Sequence, residues 1–296
     1  MMQIHNNLRY NNCPLCGAVT IHQVGRINYV SPVYYSTQVI SLLSPPELWK
    51  CDSCHSGFIQ NAVPEVESIS LYKQGKSEER WASTYHDEPK TKVVAETLKK
   101  LFKKKSRVLD IGCNTGEILD FAQKRGCKTF GVEYSLDSLN LLKSKGHIAH
   151  SSMEEVEENL DVITAFDLIE HLYDLPKFID ICLDKLSPDG CLVFLTGDIS
   201  CFWAQSTRAN WWYVRYPEHI TFPSRKYFEL HPKLQVMDWI PTFADRAYDR
   251  PKLRVVMSIA KRLLLGDYSG VPALGPDHAL IVIKRRNSYK EFLRLN

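Results

Sequence analysis

Apolar positions along the chain recur at two periods, and the change from one to the other marks the predicted elements. In TKVVAETLKKLFKK, Val93, Val94, Leu98, Leu101 and Phe102 fall at helical spacing with lysines opposite, which predicts an amphipathic helix over 91–104. The run from Arg107 to Ile111 reads as an apolar strand that turns at Gly112 and Gly116 into a helix over EILDFAQKRG, ended by Gly126. A second strand, CKTFGVEYS, is followed by a helix capped by Ser135 and closed by Gly146. DVITAFD and GCLVFLTGD read as further apolar strands, and LQVMDWIPTF and HALIVIKRR as two late ones. Strand alternating with helix predicts an α/β fold, a Rossmann-like, doubly wound parallel sheet.

The amino-terminal stretch, 1–65, shows another pattern. VTIHQVGRINYVSPVYY and QVISLL alternate as short strands would, and Pro45-Pro46 ends them. Two Cys-x-x-Cys knuckles, Cys13/Cys16 and Cys51/Cys54, flank this stretch with 34 residues between them. Four thiolates at that spacing make the tetrahedral shell of a structural zinc ion and leave no open position for catalysis. A segment of this size with few large apolar clusters also needs a staple to order it. The expectation is a zinc-ribbon-like module over 1–65, with His55 as a neighbour of the metal. A helical linker with the first core helix then covers 66–105, and the main domain covers 106–296. The other five cysteines, Cys113, Cys127, Cys182, Cys191 and Cys201, sit in apolar surroundings and read as core fillers.

Composition changes this picture little. Across 296 residues, 44% hydrophobic and 24% charged, the chain has the make-up of a folded globular protein. Lys and Arg number 37 against 34 Asp and Glu, a net +3 that selects no nucleic-acid or membrane partner. Positions 1–60 carry only Arg9, Arg26 and Lys50 as fixed cations, a weak footprint for RNA. With no apolar run long enough to span a membrane and no signal-peptide pattern at the start, a cytoplasmic location is expected.

Ligands of doubly wound sheets bind beyond the carboxyl ends of the strands, where Gly112 lets backbone come close. The G-x-G-x-x-G of dinucleotide binders is absent. The pattern here is Asp110-x-Gly112-x-x-x-Gly116, with Cys113 and Asn114 between the glycines. VLDIGCNTGEIL, GVEYS and DVITAFDLIEHLYD together resemble the motifs of class I S-adenosylmethionine (SAM)-dependent methyltransferases, over roughly Val94 to Lys284. The resemblance implies a seven-stranded sheet with SAM at Asp110, Gly112, Cys113, Asn114 and Gly116. An ammonium and a carboxylate on the methionine part suit acidic side chains and free backbone N–H groups. Glu133, 23 residues beyond Asp110, is placed to accept both ribose hydroxyls, with Tyr134 beside it. The family usually has glycine where Asn114 stands, and asparagine tolerates left-handed backbone better than most residues. The adenine side is expected near Ser151, Ser152 and Met153, and the methyl end near Phe166 and Asp167.

On the reaction side, Glu170-His171 follows the fourth core strand, and such a pair also occurs in ubiquinone-pathway O-methyltransferases. His171 is a candidate general base, as is His219; both equally fit plain hydrogen bonding. Around His219, 201–230 is crowded with Trp203, Trp211, Trp212, Tyr213, Tyr216 and Phe222 near Arg215. This segment fits acceptor selection, with Arg215 suited to an anionic handle, and it fits a packed lid core as well. PEHITFPSRK resembles a signature of sugar-tailoring small-molecule methyltransferases. A basic amphipathic stretch in the insertion 242–277, near 252–264, fits membrane-surface contact or, more commonly, a core-facing helix. The leading expectation is methyl transfer from SAM to a small molecule such as a sugar hydroxyl. An RNA methyltransferase docking through the zinc module and a catalytically silent SAM-binding scaffold are the alternatives.

Overall fold

The computed structural model describes residues 2–29, 33–35, 37–74, 91–156, 159–244 and 275–286, with isolated positions at 256, 257, 260 and 264. The basic stretch near 252–264, and with it most of the expected insertion, lies outside the described residues.

Seven strands form the central sheet. They are β7 (Arg107–Ile111), β8 (Lys128–Val132), β9 (Ile148–His150), β10 (Leu160–Phe166), β11 (Leu186–Gly197), β13 (Leu234–Thr242) and β14 (His278–Arg285), in the spatial order β13-β14-β11-β10-β7-β8-β9. β9, β8, β7, β10 and β11 run parallel, and β14 is antiparallel to both β11 and β13. The expected α/β class and seven-stranded sheet are therefore observed. The two late strands do not simply append at the edge in chain order, because β14 inserts between β11 and β13. Its run from His278 to Ile283 is buried throughout, which suits an interior strand covered on both faces.

Helices follow the capping signals. We number α1 Glu65–Gln74, α2 Lys92–Leu101, α3 Glu117–Gln123, α4 Leu136–Ser144, α5 Leu175–Lys185, α6 Phe202–Thr207 and α7 Arg225–Leu230. Thr91 caps α2 by accepting from the Val94 N–H, and Ser135 caps α4 by accepting from the Ser138 N–H. Val94, Ala95 and Leu98 form the buried stripe of α2, packed in one cluster with Val108, Phe121 and Val162. The order of α2, β7, α3, β8 and α4 leaves the turns after β7, β8 and β10 at one end of the sheet, where a ligand site belongs.

The amino-terminal residues build two small sheets. β1 (Met2–Ile4), β4 (Gln38–Leu42) and β3 (Val33–Tyr35) form one; β2 (Ile21–Arg26), β5 (Glu47–Cys51) and β6 (Gly57–Gln60) form most of the other. Asn6 ties them to the chain around them. Its amide donates to the Ser44 and Asn61 carbonyls and its oxygen accepts from the Leu43 and Ser44 N–H groups, so a buried polar side chain is fully satisfied. The second sheet gains a fourth strand from far away: β12 (Thr221–Phe222) pairs antiparallel with β6, Thr221 opposite Phe58 and Phe222 opposite Gly57. Just beyond it, the Ser224 hydroxyl donates to the Cys54 carbonyl and the Ser224 N–H donates to Ser56 Oγ. Cys13, Leu15, Cys51, Cys54 and Phe58 accordingly share one apolar cluster with Tyr227, Phe228, Phe194 and Leu192.

Candidate active site and metal centre

The turn after β7 is shaped by backbone angles that side chains rarely tolerate. Gly112 (φ 69°) and Gly116 (φ 84°) are left-handed, and a Cβ on Gly116 would lie 2.6 Å from Leu142 Cδ2. Asn114 is left-handed too, at φ 44°, so the asparagine adopts the conformation for which glycine would be usual. Asp110 is 4% exposed at the end of β7, and its Oδ1 accepts from Thr164 Oγ1 at 2.5 Å across the neighbouring strand. Glu133, just past β8, closes the turn: Oε2 accepts from the Asn114 N–H at 2.9 Å, and Oε1 from the N–H groups of Tyr134 (2.7 Å) and Ser135 (3.4 Å). The cross-link from Glu133 to Asn114 is a tertiary feature with no sequence signal.

The remaining expected cofactor residues line the same end of the sheet. Ser152 precedes a single 3₁₀ turn, Met153–Glu155, and Ser151 is held by Glu155 through its N–H (3.1 Å) and hydroxyl (2.6 Å). Met153 packs partly buried against the main core. The Glu133 N–H donates to the His150 carbonyl, which joins the β8 and β9 ends. Tyr134 is 84% exposed beside Glu133, an uncovered aromatic face next to the acid. Cys113 is buried, and burial pushes its thiol well above the ordinary range. Phe166 is buried at the end of β10, and Asp167 is left-handed with its N–H on the Leu195 carbonyl. The cradle has the two acids, the positive-φ turn and the open aromatic face that an amino-acid nucleoside requires, so the residues present fit SAM.

The 3₁₀ turn Ile169–His171 carries the expected reactive pair. Glu170 is fully buried, with Tyr213 Oη donating to one carboxylate oxygen and Thr196 Oγ1 to the other at 3.0 Å. Burial, and then the charge of Asp167, pushes its pKa from the ordinary 4.5 up to about 7. His171 is half-buried, and its Nδ1–H donates to the Glu218 carbonyl at 3.0 Å, with Tyr72 Oη 3.4 Å from the same nitrogen. His219 is 4% exposed, and its Nδ1–H donates to the Tyr213 carbonyl at 2.7 Å. The two imidazoles meet edge to face, with centroids 4.7 Å apart. Burial lowers both pKa values, that of His219 further because His171 stands beside it. Two neutral rings anchored through Nδ1 each keep an Nε2 lone pair.

What brings His219 to His171 is a set of backbone staples. The Ile220 N–H donates to the Glu170 carbonyl at 2.8 Å, and Thr221 Oγ1 to the Ile169 carbonyl at 3.2 Å. The next residues are β12, seated on the amino-terminal sheet. The aromatic segment serves mainly as packing: Trp211 and Tyr213 are 2% and 3% exposed and join Phe222 in one cluster. Tyr72, on α1, is the residue next to His171 that sequence reasoning missed; no local pattern links positions 99 apart.

The four knuckle cysteines converge. Their sulfurs all lie within 4.8 Å of one another, with Cys13 and Cys54 3.8 Å apart and Cys16 and Cys51 3.6 Å apart. Zn–S bonds of about 2.3 Å in a tetrahedron put sulfurs about 3.8 Å apart, whereas a disulfide needs about 2.05 Å. The donor set fits zinc. The hydrogen bond from Cys13 pulls the Cys54 thiol down, against burial. His55 stands outside this shell, exposed at φ 60°, with Nε2 3.3 Å from Lys226 Nζ.

A family model described as a methyltransferase domain matches residues 83–230, half of the chain. The chain belongs to that family. This methyltransferase-domain chain is 30% identical over 99 residues to a ubiquinone biosynthesis O-methyltransferase of Nitrobacter winogradskyi, a match covering 30% of this chain and 38% of that protein. The corresponding enzyme of Bradyrhizobium diazoefficiens is 31% identical over 99 residues, covering 30% and 39%. The match thus spans under two-fifths of the length of these curated relatives. Among solved structures, coclaurine N-methyltransferase bound to N-methylheliamine and SAH aligns over 75% of this chain and 81% of its own, at 16% identity and a TM-score of 0.46. A SAM-dependent methyltransferase from Archaeoglobus fulgidus aligns over 75% and 100%, at 16% identity and 0.45. No helix among the described residues is long and apolar enough to cross a membrane.

Proposed function

We propose that this chain transfers a methyl group from SAM to a hydroxyl of a small molecule, such as a sugar or sugar-linked metabolite, with His171 as the general base. The observation that carries the reading is the anchored histidine pair in the segment after β10, whose Leu168 lies against the glycine turn, 3.3 Å from where a Cβ on Gly112 would be. His171 Nδ1–H is committed to the Glu218 carbonyl, so Nε2 is the atom left to take a proton. The half-buried His171 is open to an acceptor in a way that His219, at 4% exposure, is not. His219 and Tyr213 position it. The negative charges of Glu218 and Asp167 favour the imidazolium that forms. The O-methyltransferase names of the curated relatives support oxygen as the acceptor atom.

Asp110, Gly112, Asn114, Gly116 and Glu133 would hold the methionine and ribose parts of SAM, with Tyr134, Ser152 and Met153 on the adenine side and Phe166 and Asp167 toward the methyl. The bound cofactor supplies an activated methyl group on a good leaving group. The chain's own part is to orient the acceptor hydroxyl, exclude water and accept its proton at His171 Nε2. Cys13, Cys16, Cys51 and Cys54 would hold a structural zinc ion, closed to substrate, that fastens the sheet on which β12 rests.

The test is a screen of hydroxylated acceptors with wild type and His171→Ala, with SAM affinity measured on both by calorimetry. Loss of base catalysis lowers kcat by about 10²–10⁴-fold. The reading expects that fall with SAM affinity within about threefold of wild type. Equal turnover in the two proteins removes His171 as base, and absence of SAM binding to folded wild type removes methyl transfer itself.

A further inference from the structure

We infer that Lys145 is a positioning residue for the cofactor turn: with Asp120 it fixes the Thr115–Gly116 peptide in the conformation that receives the amino-acid end of SAM. The inference rests on the reading of the turn after β7 as the SAM cradle. Lys145 Nζ donates to the Thr115 carbonyl at 2.6 Å and to Asp120 Oδ2 at 2.8 Å, so one ammonium joins the turn to α3. The N–H of the same peptide, on Gly116, donates to the Cys113 carbonyl at 2.8 Å. Both polar ends of that peptide are committed, and its plane cannot rotate without breaking a bond at each end. Glu133 holds the Asn114 N–H at 2.9 Å from the end of β8. The turn from Asn114 to Gly116 is thus fixed by groups from β8, α3 and the end of α4.

The chain reversal after α4 assembles this clamp. Lys145 stands just past α4, and Gly146 then turns left-handed at φ 85°. The reversal brings Lys145 and His147 to one carboxylate, with His147 Nε2–H donating to Asp120 Oδ1 at 2.9 Å. Thr129 Oγ1 of β8 lies 2.9 Å from the other ring nitrogen, so a fully buried imidazole is anchored at both ends. The Asp120 and Lys145 side chains are 14% and 24% exposed, largely shielded from water. Burial acts to raise the Asp120 pKa, and the bonds from Lys145 and His147 outweigh it, holding the carboxyl below its ordinary value. The carboxylate therefore stays ionised at neutral pH and keeps the ammonium in place. A shielded pair with two bonds to each oxygen-bearing partner holds a geometry that an exposed ion pair does not.

The turn also has no room to relax toward α4, since a Cβ on Gly116 would lie 2.6 Å from Leu142 Cδ2 and 3.6 Å from His147 Cδ2. A turn that meets a carboxylate and an ammonium through backbone groups needs those groups preset, because ordering them on binding costs affinity. Lys145 supplies that preset order from 30 positions beyond Thr115, acting on the ligand through the peptide it holds. Its effect should therefore fall on the amino-acid end of the cofactor and spare the nucleoside end.

The experiment titrates S-adenosylhomocysteine, and methylthioadenosine, which lacks the amino-acid end, into the full chain by calorimetry. It is repeated on Lys145→Met, Lys145→Arg and Asp120→Asn, with a thermal melt of each and amide hydrogen exchange over 112–118 in the unliganded protein. Lys145→Met should weaken S-adenosylhomocysteine at least about tenfold, leave methylthioadenosine within about twofold and speed exchange at the Gly116 N–H, because the charged hydrogen bond is lost from the turn alone. Lys145→Arg, whose guanidinium can bridge the carboxylate and the carbonyl, should recover binding to within about threefold of wild type. Asp120→Asn, which takes the charge from beside Lys145, should show the same selective loss, and it carries the comparison if Lys145→Met does not fold. Equal weakening of both ligands makes Lys145 a prop of the fold and overturns the inference. Binding unchanged in Lys145→Met, or not restored in Lys145→Arg, overturns it as well. Folded wild type that binds neither ligand overturns the SAM reading itself, whereas wild type that binds S-adenosylhomocysteine no better than the variants loses the clamp alone.

Discussion

The two halves of the candidate active site are built in opposite ways. The methionine and ribose part of the candidate cofactor half lies in one continuous stretch, from Asp110 to Glu133, and its shape is mostly backbone: a left-handed turn at Gly112, Asn114 and Gly116, closed by one carboxylate. The acceptor half is made of side chains drawn from Tyr72, Glu170, His171, Tyr213 and His219. It depends on staples between segments distant in the chain and on a strand shared with the amino-terminal sheet. A locally encoded site tolerates changes elsewhere in the fold. One assembled from distant pieces fails when any support moves, and the two halves should therefore respond differently to the same perturbation.

The largest effect tests that difference directly. Removing the proposed zinc ion with a strong chelator, or Cys54→Ser, should leave buried thiols without a shared ligand in a core that includes Phe194 and Phe228. Loss of about 4 kcal/mol or more is expected, a melting temperature lower by about 10 °C. Methyl transfer should be lost with it while SAM affinity stays within about threefold; calorimetry beside a thermal melt reads both. Parallel loss of SAM binding would show that the halves are not separable.

Next in size is the buried acid. Glu170 holds its proton to about pH 7 in the folded protein, against an ordinary 4.5. The native state therefore binds more protons than the unfolded chain between those values, and stability falls as pH rises through that window, by about 3 kcal/mol in all. Glu170→Gln should flatten this slope in urea melts taken from pH 4.5 to 7.5, leaving the cofactor half untouched. The lowered histidines act in the other direction, since His171 and His219 take up protons on unfolding below about pH 6.5 and so cost stability there. A slope unchanged in Glu170→Gln would place the proton elsewhere.

Smaller effects belong to the cofactor half. Glu133→Ala removes the carboxylate that closes the glycine turn and should weaken SAM binding about ten- to a hundredfold, from charged hydrogen bonds of about 1.5–3 kcal/mol each. Its melting temperature should fall by only a few degrees, because the three backbone N–H groups that lose their acceptor lie near the surface. Smallest is Asn114→Gly: glycine adopts φ 44° without strain, so stability should move by less than about 1 kcal/mol and SAM affinity by less than about fivefold. A much larger loss would mean that the Asn114 side chain, rather than its backbone, meets the cofactor.

Local features of both halves are legible in the order of residues. The strand and helix run from Arg107 to Ser144 follows from apolar periodicity and capping residues, and Thr91 and Ser135 cap where their neighbours place them. The convergence of the four cysteines is legible as well, because Cys-x-x-Cys knuckles carry their chemistry in their spacing. Other features carry no such signal. Nothing in YPEHITF announces that Thr221 and Phe222 will extend a sheet begun at Ile21, since so short a strand cannot show a period. The pairing of β14 between β11 and β13 is equally hidden, as order within a sheet depends on competition among strands of similar apolar character.

Fold class, the glycine turn, the acid at each strand end and the clustering of the four knuckle cysteines follow from residue order alone, because each rests on a residue type acting over a few neighbouring positions. Which nitrogen of each histidine is committed, that Glu170 keeps its proton near neutrality, and that Lys145 reaches the glycine turn emerge only in the folded molecule. Those properties depend on burial and on partners distant along the chain, and both exist only once the chain has closed on itself.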